Sequence, residues 1–214
     1  LELLKIIITK QNITVFASGG GSNFIAIHKE ILSNNISGNI QLLISNNPGC
    51  GAVAYANESG VRTMVINKIR YPSTQDLINV MIRELEKVKT ELIILAGYMK
   101  LIPNEVIKKY KDRILNIHPA LLPSFGGKGY YGKLVHRAVI ESGVKTSGVT
   151  VHLVDEVYDH GKIIQQVTVP VEKSDTEEIL ASRVLKAEHK LYPIVVKAFC
   201  EDRIEWVNNI PWII

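Results

Sequence analysis

The sequence predicts a Rossmann-like α/β fold, in which a mostly parallel twisted sheet is flanked by helices and extended by antiparallel strands towards the C-terminus. Two observations support this fold class. Short β-branched runs alternate with amphipathic helical patterns over the first two thirds of the chain, which is typical of βαβ units. After residue 145 two strand-like runs follow one another with only a loop between them, which indicates antiparallel pairing.

Each element of the parallel part has its own signal. Five short runs are rich in β-branched and other apolar residues and therefore read as buried strands: Ile13–Ala17, Ile40–Ile44, Thr63–Ile66, Leu92–Leu95 and Ile114–Ile117. Helical stripes lie between them, formed by Phe24, Ile27 and Ile31 and by Leu77, Met81, Leu85 and Val88. Each stripe provides a face that can pack against the sheet.

The C-terminal part has a different pattern. Gly148–Val154 and Ile163–Val171 are the two strand-like runs, separated by a loop over residues 155–162. Thr176–Cys200 reads as one long helix, which we expect Pro193 to kink or interrupt because proline lacks the N–H of the helical ladder.

Composition indicates one compact domain without a membrane span. The 214 residues contain no linker-like or repeated tract, and the apolar stretch Leu1–Ile8 is far shorter than a span needs. The net charge of +4 is too small to indicate nucleic-acid binding, although it slightly favours a small anionic substrate. Cys50 and Cys200 form neither a disulfide framework nor a zinc motif, so we expect a reducing, cytoplasmic location.

A glycine-rich turn, Ser18-Gly19-Gly20-Gly21-Ser22-Asn23, follows the first strand and opens a helix. Glycines let the backbone approach a phosphate closely, and a helix N-terminus offers unpaired N–H groups. The dinucleotide fingerprint fails because Phe24 replaces its third small residue, and a Walker loop fails because the Lys-Ser/Thr pair is missing. A tight turn capped by Ser22 is the alternative to a phosphate site.

Asn116 and His118 lie two residues apart near the end of a predicted central strand, and Pro119 ends that strand. Alternation places both side chains on one side, where an amide and an imidazole can stabilise an oxygen that becomes negative during acyl transfer. The alternative is a buried polar pair that satisfies loop backbone groups.

Two candidate site residues, one acidic residue and one histidine, follow in the antiparallel region. Asp159 can pair with a histidine, orient its ring and favour the charged imidazolium, since a nearby anion raises a histidine pKa. A solvated acidic loop is the alternative for Asp159. His152 alternates with Val151 and Leu153 and can equally be a histidine satisfied within a strand.

The segment Leu95–Pro103 leaves another strand through Gly97, which permits a tight turn. Its backbone groups, flanked by Met99, Leu101 and Ile102, can bind the hydrogen-bonding edge of a flat heterocycle while the side chains cover its faces. Ordinary core packing is the alternative.

These motifs occur in an order that resembles the folate-dependent glycinamide ribonucleotide (GAR) formyltransferases. The motifs are Gly21-Ser22-Asn23, Ala96-Gly97-Tyr98-Met99, Asn116-Ile117-His118-Pro119 with Leu121-Leu122-Pro123, and Asp159. The resemblance implies a single domain over residues 1–214. In it, about residues 11–110 bind the phosphate of GAR, and about residues 111–214 complete the folate site and the catalytic centre.

The resemblance also implies roles for individual residues. It places the catalytic groups on Asn116, His118 and Asp159, with His152 supporting them. Substrate binding falls on Gly20, Gly21, Ser22, Asn23, Pro119 and Glu188. Binding of the cosubstrate, 10-formyltetrahydrofolate, falls on Met99, Lys100, Leu101, Ile102, Val154, Asp155 and Glu156. It implies small-molecule partners only, no metal, and a monomer or homodimer.

This chain departs from the family at three places. Leu185 stands where some relatives have a basic residue near the substrate phosphate, and the adjacent Lys186 points about 100° further round the helix. The glycine-rich segment 124–134, which contains Lys128, is long and predicts a mobile flap. Lys68, Arg70 and Lys100 are the candidates for contacts with the glutamate tail of the folate.

Other functions remain open alternatives at this point. Methionyl-tRNA formyltransferase and formyltetrahydrofolate hydrolase share the Asn/His/Asp pattern, but we expect them to carry a further domain. A non-catalytic module that binds a phosphorylated metabolite through Gly19–Asn23 is an alternative of another class; it predicts phosphate binding without formyl transfer.

Overall fold

The computed structural model describes residues 10–214, so the apolar stretch Leu1–Ile8 lies outside the described residues. A seven-stranded sheet runs through these residues in the order β3-β2-β1-β4-β5-β6-β7. The strands are β1 (Gln11–Phe16), β2 (Gly38–Ser45), β3 (Thr63–Val65), β4 (Leu92–Leu95), β5 (Ile114–His118), β6 (Thr146–Leu153) and β7 (Ile163–Pro170). Strands β1 to β5 pair in parallel, whereas β6 and β7 are antiparallel, so the predicted fold class is confirmed.

Six helices connect and cover the strands. They are α1 (Ser22–Leu32), α2 (Gly51–Glu58), α3 (Thr74–Lys87), α4 (Asn104–Lys109), α5 (Lys133–Ser142) and α6 (Glu177–Cys200). Of the kink or interruption predicted at Pro193, the interruption is wrong, because α6 is continuous through this residue, and the kink stays a prediction. Pro193 is buried, and α6 packs along α1, α5, β6 and β7. This packing outweighs the local cost of the missing N–H group.

The central strands alternate between two hydrophobic layers. Leu92 and Ile94 of β4 pack into the larger core with α1, α2, α5 and α6, whereas Ile93 and Leu95 pack into the smaller core with α3 and α4. Helices therefore cover both faces, which explains why β4 is apolar at every position. Because β1, β4 and β5 are parallel neighbours, the loops at their carboxyl ends meet at one edge of the sheet.

A C-terminal hairpin was not predicted from the sequence. It joins β8 (Ile204–Val207) to β9 (Ile210–Ile213) through Asn208 and Asn209, whose φ angles are 49° and 64°. Two positive φ angles are what a tight hairpin turn requires, and asparagine tolerates them. The Asn-Asn pair between two short apolar runs was the signal that could have revealed this hairpin.

Candidate active site

A cleft of about 630 Å³ opens at the carboxyl ends of β4 and β5. It brings together segments that are far apart in the sequence, as expected for the crevice at the edge of such a sheet. The cleft is lined by Asn23, Leu95, residues 97–102, residues 116–119, residues 127–132, His152, Val154, Asp155, residues 157–159 and Glu188. Polar groups from both halves of the chain therefore face one space.

Asn116 and His152 lie directly opposite each other on the antiparallel strands β5 and β6. Their side chains meet, with 3.0 Å between Nδ2 of Asn116 and Nε2 of His152. The other ring nitrogen, Nδ1 of His152, lies 2.8 Å from the Leu153 carbonyl oxygen. Since a carbonyl can only accept, Nδ1 carries the hydrogen and Nε2 accepts from the amide. His152 thus holds the orientation of the Asn116 side chain.

Asp159 lies in the loop between β6 and β7 and has a left-handed backbone with φ of 53°. One carboxylate oxygen lies 3.4 Å from Nδ1 of His118 and accepts from the Gly127 N–H at 2.9 Å. The other lies 3.4 Å from Nδ2 of Asn116 and 3.7 Å from Nε2 of His152. The amide, the imidazole and the carboxylate therefore meet at one point of the cleft.

Burial and hydrogen bonding have opposite effects on the pKa of the Asp159 carboxyl group. Burial raises its pKa, but the contacts with His152, His118 and the Gly127 N–H outweigh burial and leave the pKa below its ordinary value. Asp159 is therefore ionised at neutral pH.

His118 is 4% exposed, and both of its ring nitrogens face acceptors. Nε2 lies 2.8 Å from the Phe125 carbonyl oxygen, and Nδ1 faces Asp159. Burial lowers the pKa of His118, whereas Asp159 and the Phe125 carbonyl raise it; burial prevails, so the pKa lies below its ordinary value. Asp159 therefore acts on the His118 pKa in the predicted direction, although the effect of burial is larger.

The glycine turn joins β1 to α1 with a geometry that only glycine fits well. Gly21 is the residue that precedes the helix and has φ of 76°, and a Cβ there would lie 2.7 Å from Cβ of Ala52. No side-chain hydrogen bond caps α1, so the alternative of a turn capped by Ser22 is wrong: Ser22 is already the first helical residue. The first N–H groups of α1 have no partner within the helix, which is the arrangement that binds anions.

Asn23 and Glu188 form a buried pair beside this turn. Nδ2 of Asn23 donates to Oε2 of Glu188 over 2.5 Å, and Oδ1 of Asn23 is buried without a hydrogen-bond partner among residues 10–214. Burial raises the pKa of Glu188, while the Asn23 hydrogen bond opposes that shift. One helical turn later, the Tyr192 hydroxyl lies 3.0 Å from the carbonyl oxygens of Leu95 and Leu115, which ties α6 to the ends of β4 and β5.

The predicted folate stretches lie on the wall of the cleft, with the exception of Glu156. Met99 is 51% and Leu101 45% exposed, but Ile102 is buried in the smaller core, although it also borders the cleft. Val154 and Asp155 line the cleft as well. Glu156 does not: it is exposed and is absent from the cleft lining. Gly97 has φ of 73°, in agreement with the tight turn predicted there.

Only some of the residues predicted to bind the substrate border the cleft. Asn23, Pro119 and Glu188 line it, whereas Gly20, Gly21 and Ser22 are not among the lining residues. The three form the turn immediately before Asn23, so a molecule in the cleft reaches them only by extending past Asn23.

Several residues of the site were missed by sequence reasoning. Gly127 binds the Asp159 carboxylate and Phe125 binds His118, both through backbone atoms that leave no side-chain signal. Tyr98 lines the cleft, and burial raises its pKa to about 12, so its hydroxyl keeps its proton. Burial and the nearby His118 lower the pKa of His136 on α5. His136 follows the glycine-rich segment by two residues and is not among the residues lining the cleft.

Residues 10–214 contain neither a metal-binding cluster nor a membrane-spanning helix. Within this range no three His, Cys, Asp or Glu side chains are placed to hold a metal ion together. None of the helices there has both the length and the apolar composition needed to cross a membrane.

Comparisons with known proteins agree with this architecture. The formyl transferase family matches residues 11–196. The chain is 48% identical over 198 residues to a chloroplastic phosphoribosylglycinamide formyltransferase of Arabidopsis thaliana, covering 92% of this chain and 68% of that protein. It is 32% identical to the phosphoribosylglycinamide formyltransferase of Escherichia coli over 203 residues, covering 95% of this chain and 93% of the relative.

A solved structure has the same fold. The glycinamide ribonucleotide transformylase 1 of Symbiobacterium toebii superposes with a TM-score of 0.89 at 34% identity, covering 96% of this chain and 95% of that one. The expected cytoplasmic location and the expected monomer or homodimer stay predictions. The match over most of its length, the shared fold and the sequence identity together show that this chain belongs to the formyl transferase family, among the phosphoribosylglycinamide formyltransferases.

Proposed function

We propose that this protein transfers the formyl group of 10-formyltetrahydrofolate to the amine of GAR by direct attack, without a covalent enzyme intermediate. One observation carries this proposal: Asn116, His118 and Asp159 meet in a cleft that begins beside the glycine turn. The cleft thus combines groups that stabilise a tetrahedral adduct with a site for a sugar phosphate.

The phosphate of GAR would bind to the N–H groups of the turn formed by Gly20, Gly21 and Ser22, and Asn23 and Glu188 would contact the ribose. Leu185 lies one turn before Glu188 on the same face of α6 and is 37% exposed. It offers no charge to the phosphate, so the backbone donors and the helix N-terminus would supply most of the attraction.

The formyl-folate would lie between the 97–102 segment and the loop that holds Val154 to Asp159. The apolar side chains of Met99 and Leu101 would cover the pterin faces, and backbone groups would bind its edge. A second cavity, of about 640 Å³, adjoins this wall and contains Lys68 and Lys100. These two lysines would attract the glutamate tail, whereas Arg70 is not among the residues lining this cavity.

The chemistry begins when the neutral amine of GAR attacks the formyl carbon and the carbonyl oxygen gains negative charge. Asn116 would donate one amide hydrogen to this oxygen. In the free protein this hydrogen makes only a long contact with Asp159, with 3.4 Å between Nδ2 and Oδ1. His118 would donate its Nε2 hydrogen to the formyl oxygen. In the free protein this hydrogen is bound to the Phe125 carbonyl oxygen, which would either lose the hydrogen bond or share it with the formyl oxygen. One such donor is typically worth about 10²–10³ in rate.

Asp159 would stabilise the imidazolium that forms when His118 takes a proton from solvent on Nδ1 before the attack. Through a water molecule it would also accept the proton that the attacking amine loses, and would return that proton to the folate nitrogen as this nitrogen leaves. The depressed pKa of Asp159 keeps it ionised for both tasks.

The test is to follow tetrahydrofolate release from 10-formyltetrahydrofolate in parallel reactions with GAR, with water alone and with methionyl-tRNA. Release that depends on GAR supports the proposal. Release with water alone indicates a hydrolase, and release that requires methionyl-tRNA indicates the tRNA formyltransferase. Release in none of the reactions indicates a binding module without transfer activity.

A further inference from the structure

One short turn contacts both members of the His118–Asp159 pair. The turn is formed by Phe125, Gly126 and Gly127, at the start of the glycine-rich segment. The Phe125 carbonyl oxygen accepts from Nε2 of His118 at 2.8 Å, and the Gly127 N–H donates to Asp159 at 2.9 Å. The Phe125 carbonyl therefore binds the ring nitrogen of His118 that faces away from Asp159. The Gly127 N–H binds the carboxylate oxygen of Asp159 that faces His118.

The backbone of this turn has an unusual conformation. Phe125 has φ of 56°, a region that aromatic residues rarely adopt, and Gly127 has φ of 94°. The Phe125 side chain is partly buried against the larger core, so packing maintains this conformation. Asp159 also has a positive φ, and such residues often cluster where a site needs exact geometry.

Gly126 lies between the two contacts in a space that holds no side chain. A Cβ added there would collide with Cδ2 of Leu122 and would lie 3.2 Å from Cβ of Asp159. The turn thus approaches Asp159 through the Gly126 backbone as well as through the Gly127 hydrogen bond. Any displacement of the turn would move the partners of His118 and Asp159 together.

We propose that the Phe125–Gly127 turn is a positioning element for the catalytic pair, which fixes the carboxylate through Gly127 and holds the reactive Nε2 hydrogen of His118 through Phe125. The proposal rests on the proposed formyl transfer, since it concerns the donor that would act on the formyl oxygen. The Phe125 carbonyl is then the partner that the formyl oxygen replaces. A positioning defect of about 1 Å can reduce turnover by about 10²-fold.

The first test compares Gly126→Ala with the control Gly49→Ala. A Cβ at Gly49 would meet only Oδ1 of Asn47 at 3.9 Å, and Gly49 lies outside the site. We expect kcat of Gly126→Ala to fall by about 10²-fold, with little change in the KM for GAR. We also expect a shifted acidic limb in its pH profile, because His118 loses a contact that raises its pKa. Equal kcat values and equal pH profiles in the two variants would overturn the proposal.

The second test needs no variant at the turn and holds even if Gly126→Ala does not fold. Nitrogen-15 NMR of histidine-labelled wild-type protein reports which ring nitrogen carries hydrogen, and His118→Asn identifies the signal. A hydrogen on Nε2 of the neutral His118 ring is expected. A neutral ring with hydrogen only on Nδ1 would overturn the proposal. If the wild type shows the Nε2 hydrogen but transfers no formyl group to GAR, the proposed function fails while the contact stands.

Discussion

Asp159→Asn removes one negative charge from the site and leaves its shape nearly unchanged. Asparagine tolerates the left-handed backbone at this position, and its side-chain oxygen can still accept from the Gly127 N–H. At 3.4 Å from Nδ1 of His118 and an effective dielectric constant of about 20, the carboxylate attracts a charged ring by about 5 kcal/mol. Only part of this attraction develops in the transition state, so we expect kcat to fall by about 10²–10³-fold, which corresponds to about 3–4 kcal/mol.

The assay is steady-state tetrahydrofolate release with saturating GAR and formyl-folate. Asp112→Asn is the matched control, because Asp112 has a similar left-handed backbone with φ of 57° and is not among the residues of the cleft. The control should keep the activity of the wild type. If Asp159→Asn is folded and keeps nearly full kcat, the carboxylate does not support charge on His118 and the assigned role is wrong.

Three further predictions follow from the same contacts. Asn116→Ala should fold and lose about 10² in kcat, measured in the same assay, because it removes an amide donor to the developing oxyanion; near wild-type turnover would contradict this role. Glu188→Gln should raise the KM for GAR about tenfold with little change in kcat, because a charge-assisted contact to bound substrate is lost equally in ground and transition states; an unchanged KM would remove Glu188 from the site. The free energy of unfolding should fall as the pH drops from 7 to 5. The pKa values of His118 and His136 are lowered in the folded protein, so the unfolded chain binds protons that the folded protein does not. Urea midpoints that do not change with pH would contradict this.

The fold followed largely from local patterns. The strands of the parallel sheet are mostly apolar because helices cover both faces, and this leaves a plain signal in the sequence. The interruption expected at Pro193 failed because α6 is stabilised along its length by neighbours that the sequence does not reveal. The hairpin after α6 was missed because its strands are short and its turn consists of two asparagines.

The site was predicted less completely than the fold. Asn116 and His118 could be paired from strand alternation alone, and the motif order supplied Asp159. Glu156 was assigned to the folate site by its place in a motif, but it is exposed and does not line the cleft. The contacts of Phe125 and Gly127 use backbone atoms, so no residue type could have indicated them.

The sequence by itself determined the order of the strands and helices and the side chains capable of acyl-transfer chemistry, because periodicity and residue type are local properties. Only the tertiary structure decided which groups meet and what charge they carry. Asp159 reaches His118 from a loop 41 positions further along the chain, and the balance between burial and ion pairing sets the pKa of His118. Both depend on desolvation and on distances between segments remote in sequence, which arise only when the whole chain packs.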